Sequence, residues 1–144
     1  MQRHRLILPL TLGGLALAAL SPSRAIAAPQ WQKVTENLVG DRFLVDISAI
    51  QEQGSNRFYW EYREFVQPNN AFLEVKVSQP VEGAVVRWSI NCGTKAQRLL
   101  KVNAYTTNRQ LIQKFTYGDS GVAVSSRPGS STYKVGEFVC NAKL

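Results

Sequence analysis

Tyr133-Lys-Val-Gly-Glu-Phe-Val-Cys-Asn-Ala142 decides between an all-β fold and an α+β fold. It places Val135, Phe138, Val139 and Ala142 at i, i+3, i+4 and i+7, which is one face of a helix. Ser130, Ser131 or Thr132 can cap its start. Gly136 costs such a helix about 1 kcal/mol relative to Ala, so the helix needs tertiary packing. Immediately upstream, Gly118 to Ser131 is rich in Gly and Ser with one Pro, and reads as a loop.

Everything before that loop has a different period. Arg57 to Val66 alternates Phe58, Trp60 and Tyr62 against Tyr59, Glu61, Arg63 and Phe65, the period-two signature of a strand. Aromatics on both faces imply a central strand. Ala84 to Cys92 sets Val86, Trp88, Ile90 and Cys92 against Val85, Arg87, Ser89 and Asn91. Gln97 to Thr106 and Gln110 to Tyr117 form two more strands, and Phe72 to Val77 a weaker one. Arg42 to Ser48 is a further strand, with Phe43, Val45 and Ile47 on one face. Gln51 to Asn56 then reads as a hairpin loop around Gly54. Trp31 and Val34 are the expected buried anchors of the first segment. The expected fold is α+β: an antiparallel sheet of about six strands with one C-terminal helix.

Residues 1–27 have the form of a secretory signal. Arg3, His4 and Arg5 precede an apolar run from Leu6 to Leu20, and Ala25-Ile-Ala27 is an A-x-A cleavage pattern. A run of 15 residues spans only about 22 Å as helix, against about 30 Å of hydrocarbon, so a transmembrane anchor is disfavoured. Residues 28–144 are then the exported domain, secreted, periplasmic or at the cell surface. Removing Arg3, Arg5 and Arg24 lowers the formal charge from +7 to +4, a mild excess that does not suit a dedicated nucleic-acid binder.

His4 is the sole histidine and leaves with the signal. The exported part therefore cannot build Ser-His-Asp or Cys-His machinery or a histidine metal site, and no cofactor or metal is expected. Two cysteines, Cys92 and Cys140, point to one disulfide in an exported chain. Two reduced thiols in a metal or redox site are the alternative, weakened by the lack of a CxxC pair. A bridge closing a loop of about 49 residues would contribute about 4 kcal/mol. Neither cysteine follows the signal directly, so no lipid-modified N-terminal Cys is expected.

The charged residues offer several candidate sites, each with a plainer reading. Glu61 and Glu64 should point to opposite faces of a strand, and cannot flank one bond as an acid/base pair. Asp41 and Asp46 share the odd spacing, and all four read as solvated strand charges. Arg57, Arg63 and Arg87 lie among Tyr59, Trp60, Tyr62 and Trp88, a pattern that can stack single-stranded nucleic acid. Arginines on the wet face of a sheet give the same string, and that reading is preferred. Lys95, Arg98, Lys101, Arg109 and Lys114 concentrate cations in residues 95–114, where no acid interrupts. Strand alternation sends Arg98 and Lys101 to opposite faces, although twist and the adjoining hairpin can still gather several cations. The functional reading is a patch for acidic polysaccharide, phospholipid or a partner's acidic surface. The plain one is a soluble, unpaired edge strand. Ser125 to Ser131 lacks the lysine and spacing of a phosphate loop and reads as a capping loop.

Trp31, Asp46-Ile-Ser-Ala-Ile50, the Asn91-Cys92 pair, Pro128-Gly-Ser130 and Val139-Cys140 occur in the order and approximate spacing of the surface-adhesin protein E family. The resemblance covers nearly all of residues 28–144. It implies a small exported bacterial domain, an antiparallel sheet backed by a C-terminal helix, and a Cys92–Cys140 crosslink. The family's named member is a surface adhesin that binds host matrix and plasma proteins and can dimerise. That member is a lipoprotein, and this chain departs from it in having no cysteine at the expected cleavage site. Together these readings lead to a non-enzymatic exported binding module whose partner is a protein or an anionic envelope polymer, with a homodimer as one assembly the resemblance allows. An accessory factor of an envelope complex, or a small histidine-independent enzyme, are the alternatives.

Overall fold

A computed structural model describes residues 27–73 and 75–144. The expected signal segment, apart from Ala27, lies outside the described residues. Period-two alternation builds β1 (Trp31–Glu36), β2 (Arg42–Asp46), β3 (Gln51–Gln53), β4 (Asn56–Glu64), β5 (Gly83–Asn91), β6 (Gln97–Tyr105), β7 (Leu111–Thr116) and β8 (Val122–Val124). The period-3.6 stretch builds α1 (Ser131–Asn141). All pairings are antiparallel, in the order β1-β2-β4-β5-β6-β7. β3 joins β4 beyond the end of β2, and β8 joins β6 beyond the end of β7. Among the described residues eight strands therefore fill six positions, and the expected α+β architecture is present.

β4 is central, as its doubly aromatic pattern implies. Its Tyr59, Glu61 and Phe65 side is buried beneath α1, together with Val45, Val86, Trp88, Val102, Val135 and Val139. Ser130 caps the helix, its hydroxyl accepting from the Tyr133 amide at 3.2 Å. The other end is capped from the sheet: Arg57 Nη1 donates to the Val139 and Ala142 carbonyls at 2.6 and 2.8 Å. A cation there also suits the negative end of the helix dipole. Cys92, just past β5, is bonded to Cys140 in α1 with their Cα atoms 5.5 Å apart.

Gly136 sits at a close approach of helix and sheet. A Cβ at this position would fall 2.6 Å from Gln97 Nε2 and 2.7 Å from Ile90 Cδ1. Gly136→Ala should thus lose more through overpacking, typically about 1–3 kcal/mol, than the ~1 kcal/mol it gains in helix propensity. Urea unfolding is expected to show a lower midpoint at unchanged m; a raised midpoint would mean the contact relaxes freely.

Several local expectations are corrected. The described residues of Phe72–Val77 are not strand. Asn69 and Asn70 capture the backbone instead, capping a 3-10 turn (Asn70–Phe72) and bonding to Val77, Gln79 and Val81. The Gly118–Ser131 loop contains β8. The polar 51–56 stretch is mostly strand, paired in register from Gln53↔Asn56 outward. Ile47 leaves the apolar face because Asp46 ends β2, its carboxylate accepting from the Ser48 amide and hydroxyl. Trp31 is only half-buried, and packs on Tyr62 rather than in the core beneath α1.

Candidate functional site: the face without the helix

The charges read as solvated are mostly not. Glu61 is buried and bound to Arg63, with Nε to Oε1 at 3.0 Å. Asp41 and Asp46 are buried turn caps, Asp41 accepting from the Val66 amide and Asp46 from the Gln30 amide. Only Glu64 is as expected, on the opposite face and paired with Arg42. The arginines divide as well. Arg57 and Arg63 lie on the helix side, not the wet face. Arg63 is stacked 5.0–5.5 Å from the rings of Phe72, Phe43 and Trp88. Beside them the Tyr59 phenol accepts from Gln97. Burial, and then the Glu61 carboxylate, push its pKa well above the ordinary tyrosine value. These groups are committed to holding α1.

The other face is different. Directly opposed residues in antiparallel strands share a face. Across it run Phe58, Trp60 and Tyr62 of β4, then Val85, Arg87 and Ser89 of β5. Arg98, Lys101 and Asn103 of β6 follow, then Lys114 and Thr116 of β7. Arg98 and Lys101 were expected on opposite sides. An irregularity in the β5–β6 register adds Leu100 between them, so Arg98 opposes Ser89 and Lys101 opposes Arg87. Both cations consequently stand on the helix-free face. Lys114 joins them opposite Asn103.

Arg109 and Lys95, also in the expected patch, occupy hairpin tips in the left-handed backbone region, at φ 57 and 63. Such a conformation costs a non-glycine residue about 1–2 kcal/mol. Arg109 leans over Tyr62, 5.9 Å from its ring centre. Lys95 turns to the helix side and pairs with Glu137 at 2.8 Å, so it leaves the group. Arg98 is steadied by the Ser120 and Gly121 carbonyls. Lys101, Lys114 and Arg109 form no ion pair among the described residues. Arg87 belongs with them. It is half-buried across the Trp60 and Phe58 rings at 5.2 and 5.9 Å, and desolvation draws its pKa below the usual guanidinium value. From Gly83 to Gly118 the chain has no acidic residue, so β5, β6 and β7 together present only positive charge.

Sequence reasoning named Trp60 and Tyr62 beside Arg87 but missed the hollow that Trp31 and Tyr105 complete. Trp31 and Tyr62 lie with ring centres 5.7 Å apart and planes inclined at 51°. With Val85, Tyr105 and Arg109 they bound a hollow of about 130 Å³. Gly83 makes room for it: a Cβ there would come within 3.2–3.3 Å of the Tyr62 ring and hydroxyl. A glycine at the start of a strand is the signal that marked this close approach. A larger hollow of about 530 Å³ lies between the β5–β6 hairpin and β8. Of the cations on its wall, Lys95 is neutralised by Glu137, while Arg98 is bonded only to neutral carbonyls and keeps its charge.

One face of the sheet is closed by a disulfide-tethered helix, and the other is open, aromatic and basic. The chain belongs to the surface-adhesin protein E family, whose model matches residues 31–141. Membership implies an exported or cell-surface binding protein. Among solved structures it is similar to crystal form II of Haemophilus influenzae protein E, with TM-score 0.54 and 9% identity over 84% of this chain and 94% of that one. The structure of protein E from non-typeable Haemophilus influenzae gives TM-score 0.51 and 11% identity, over 84% and 81% of the two chains. At such identity the likeness concerns the fold alone. No curated protein sequence matches the chain. Among the described residues no helix is long and apolar enough to cross a membrane.

Proposed function

We propose that this chain is a non-enzymatic binding module, exported with cleavage after Ala27. Its helix-free sheet face recognises an anionic partner, either an envelope polymer or the acidic surface of a protein. The observation that carries this reading is the gathering of Arg87, Arg98, Lys101 and Lys114 on one face of three adjacent strands with no acid among them. Such a field concentrates anionic partners and speeds their association, and the half-buried rings beside it supply the apolar contact. Of the sequence-derived patch, Arg98, Lys101, Arg109 and Lys114 stay in this proposal and Lys95 is dropped.

Reversing charge at Arg98, Lys101 and Lys114 together is expected to reduce retention by an isolated envelope fraction at least tenfold and to flatten its salt dependence. The circular dichroism spectrum should not change, since all three side chains are exposed. Retention equal to wild type at low salt would remove this face from consideration. An assembly factor would instead co-purify with one defined complex.

A further inference from the structure

We infer that the hollow between Trp31, Tyr62, Tyr105 and Arg109 is the seat of one carboxylated sugar ring, so that the open face binds a polysaccharide built of acidic sugars. This inference rests on the reading of that face as an anion-binding surface, and adds to it the chemistry of the occupant.

The size of the hollow argues first. About 130 Å³ lies well below the roughly 300–1,000 Å³ of a pocket for an extended small molecule, so one ring fits and a longer ligand must leave by the open side. Its walls argue second. Trp31 and Tyr62, their planes inclined at 51°, line it together with Val85 and Tyr105. Ring faces of this kind carry partial negative charge and attract the slightly positive C–H face of a pyranose. The rim argues third. Arg109 stands at the mouth, unpaired by any acid among the described residues, on a hairpin whose left-handed backbone is held by Thr106. Its planar fork matches a carboxylate with two parallel hydrogen bonds. A neutral sugar would leave that cation unmatched, and an acidic peptide would offer charge without a ring to fill the hollow. Neighbouring acidic residues of a polysaccharide leaving the hollow would then meet Lys101, Lys114 and Arg87 on the adjoining strands.

The test uses hexamers of galacturonate, mannuronate and sialic acid, with a neutral galactose hexamer and hexaglutamate as controls. Binding is followed by tryptophan fluorescence and calorimetry. At least one acidic sugar hexamer is expected to bind tenfold or more tightly than either control. Arg109→Asn, which tolerates the left-handed backbone, should lose tenfold or more, and Arg109→Lys, which keeps charge without the fork, should fall between. Trp31→Ala should lose both affinity and the fluorescence response. Sugar binding that ignores these variants overturns the assignment, as does hexaglutamate binding as tightly as the sugars, or no acidic hexamer binding below millimolar. If envelope retention still depends on Lys101 and Lys114, only the sugar seat has failed. If the triple charge reversal also leaves retention unchanged, the open-face reading falls with it.

Discussion

A Cys92→Ser, Cys140→Ser double variant should unfold about 4 kcal/mol more readily than the wild type and melt on the order of 15 °C lower. The bridged residues are 48 apart, so the crosslink removes a large loop entropy from the unfolded chain. This helix depends on it more than most would. At 11 residues it is below the length at which isolated helices are stable, and it carries a glycine in its second turn. Val135 and Val139 are fully buried against the sheet, and Arg57 still caps the last carbonyls. The double variant should accordingly remain folded at 20 °C with α1 docked. Amide exchange in α1 should accelerate more than in β4 and β5, whose opening already requires global unfolding. Binding through the opposite face should be unaffected at that temperature. A melting point within a few degrees of wild type would show that side-chain packing alone secures the helix.

Period was the most legible property of the sequence, because it depends on neighbours alone. The alternation in Arg57–Val66 and Ala84–Cys92 placed β4 and β5. The 3.6-residue spacing in Tyr133–Ala142 placed α1 within two residues. What the sequence hid are features that depend on a residue's partner in space. The extra residue in β6 reverses the alternation at Leu100 without any compositional mark, which is why Arg98 and Lys101 read as opposed and stand together. β8 is three residues long in a Ser/Gly-rich segment, and exists because β7 leaves the edge of Gln97–Leu99 free. Trp31 carries the composition of a core residue, yet its place is on the open face against Tyr62. Glu61 could have been read better. Opposite charges at i and i+2 of one strand share a face, so Glu61 and Arg63 were a pair in the sequence before burial was known.

That pair gives the other large effect. Replacing Glu61 with Ala should destabilise the protein by about 3–5 kcal/mol, because it strips the counter-charge from a largely buried cation. The Glu61 side chain is 0% exposed and that of Arg63 11%. Among the described residues Arg63 has no other acid bonded to it, and it also meets the rings of Phe43, Phe72 and Trp88 and makes a long hydrogen bond to the Thr132 hydroxyl. Cation–π attraction of about 2 kcal/mol at a desolvated site does not restore what the carboxylate supplied. Glu61→Gln keeps the shape and one acceptor while losing the charge, and should fall between Ala and wild type. The decisive variant is Glu61→Leu with Arg63→Met. Removing both charges while keeping apolar bulk against the three rings should recover most of the loss, since a buried pair contributes little net stability beyond an apolar replacement. If chemical denaturation instead puts Glu61→Ala within 1 kcal/mol of wild type, Arg63 must reach more solvent than the packed helix leaves it. If the double variant is as unstable as Glu61→Ala, the ion pair contributes to holding α1 in place over β4 and does not merely neutralise itself.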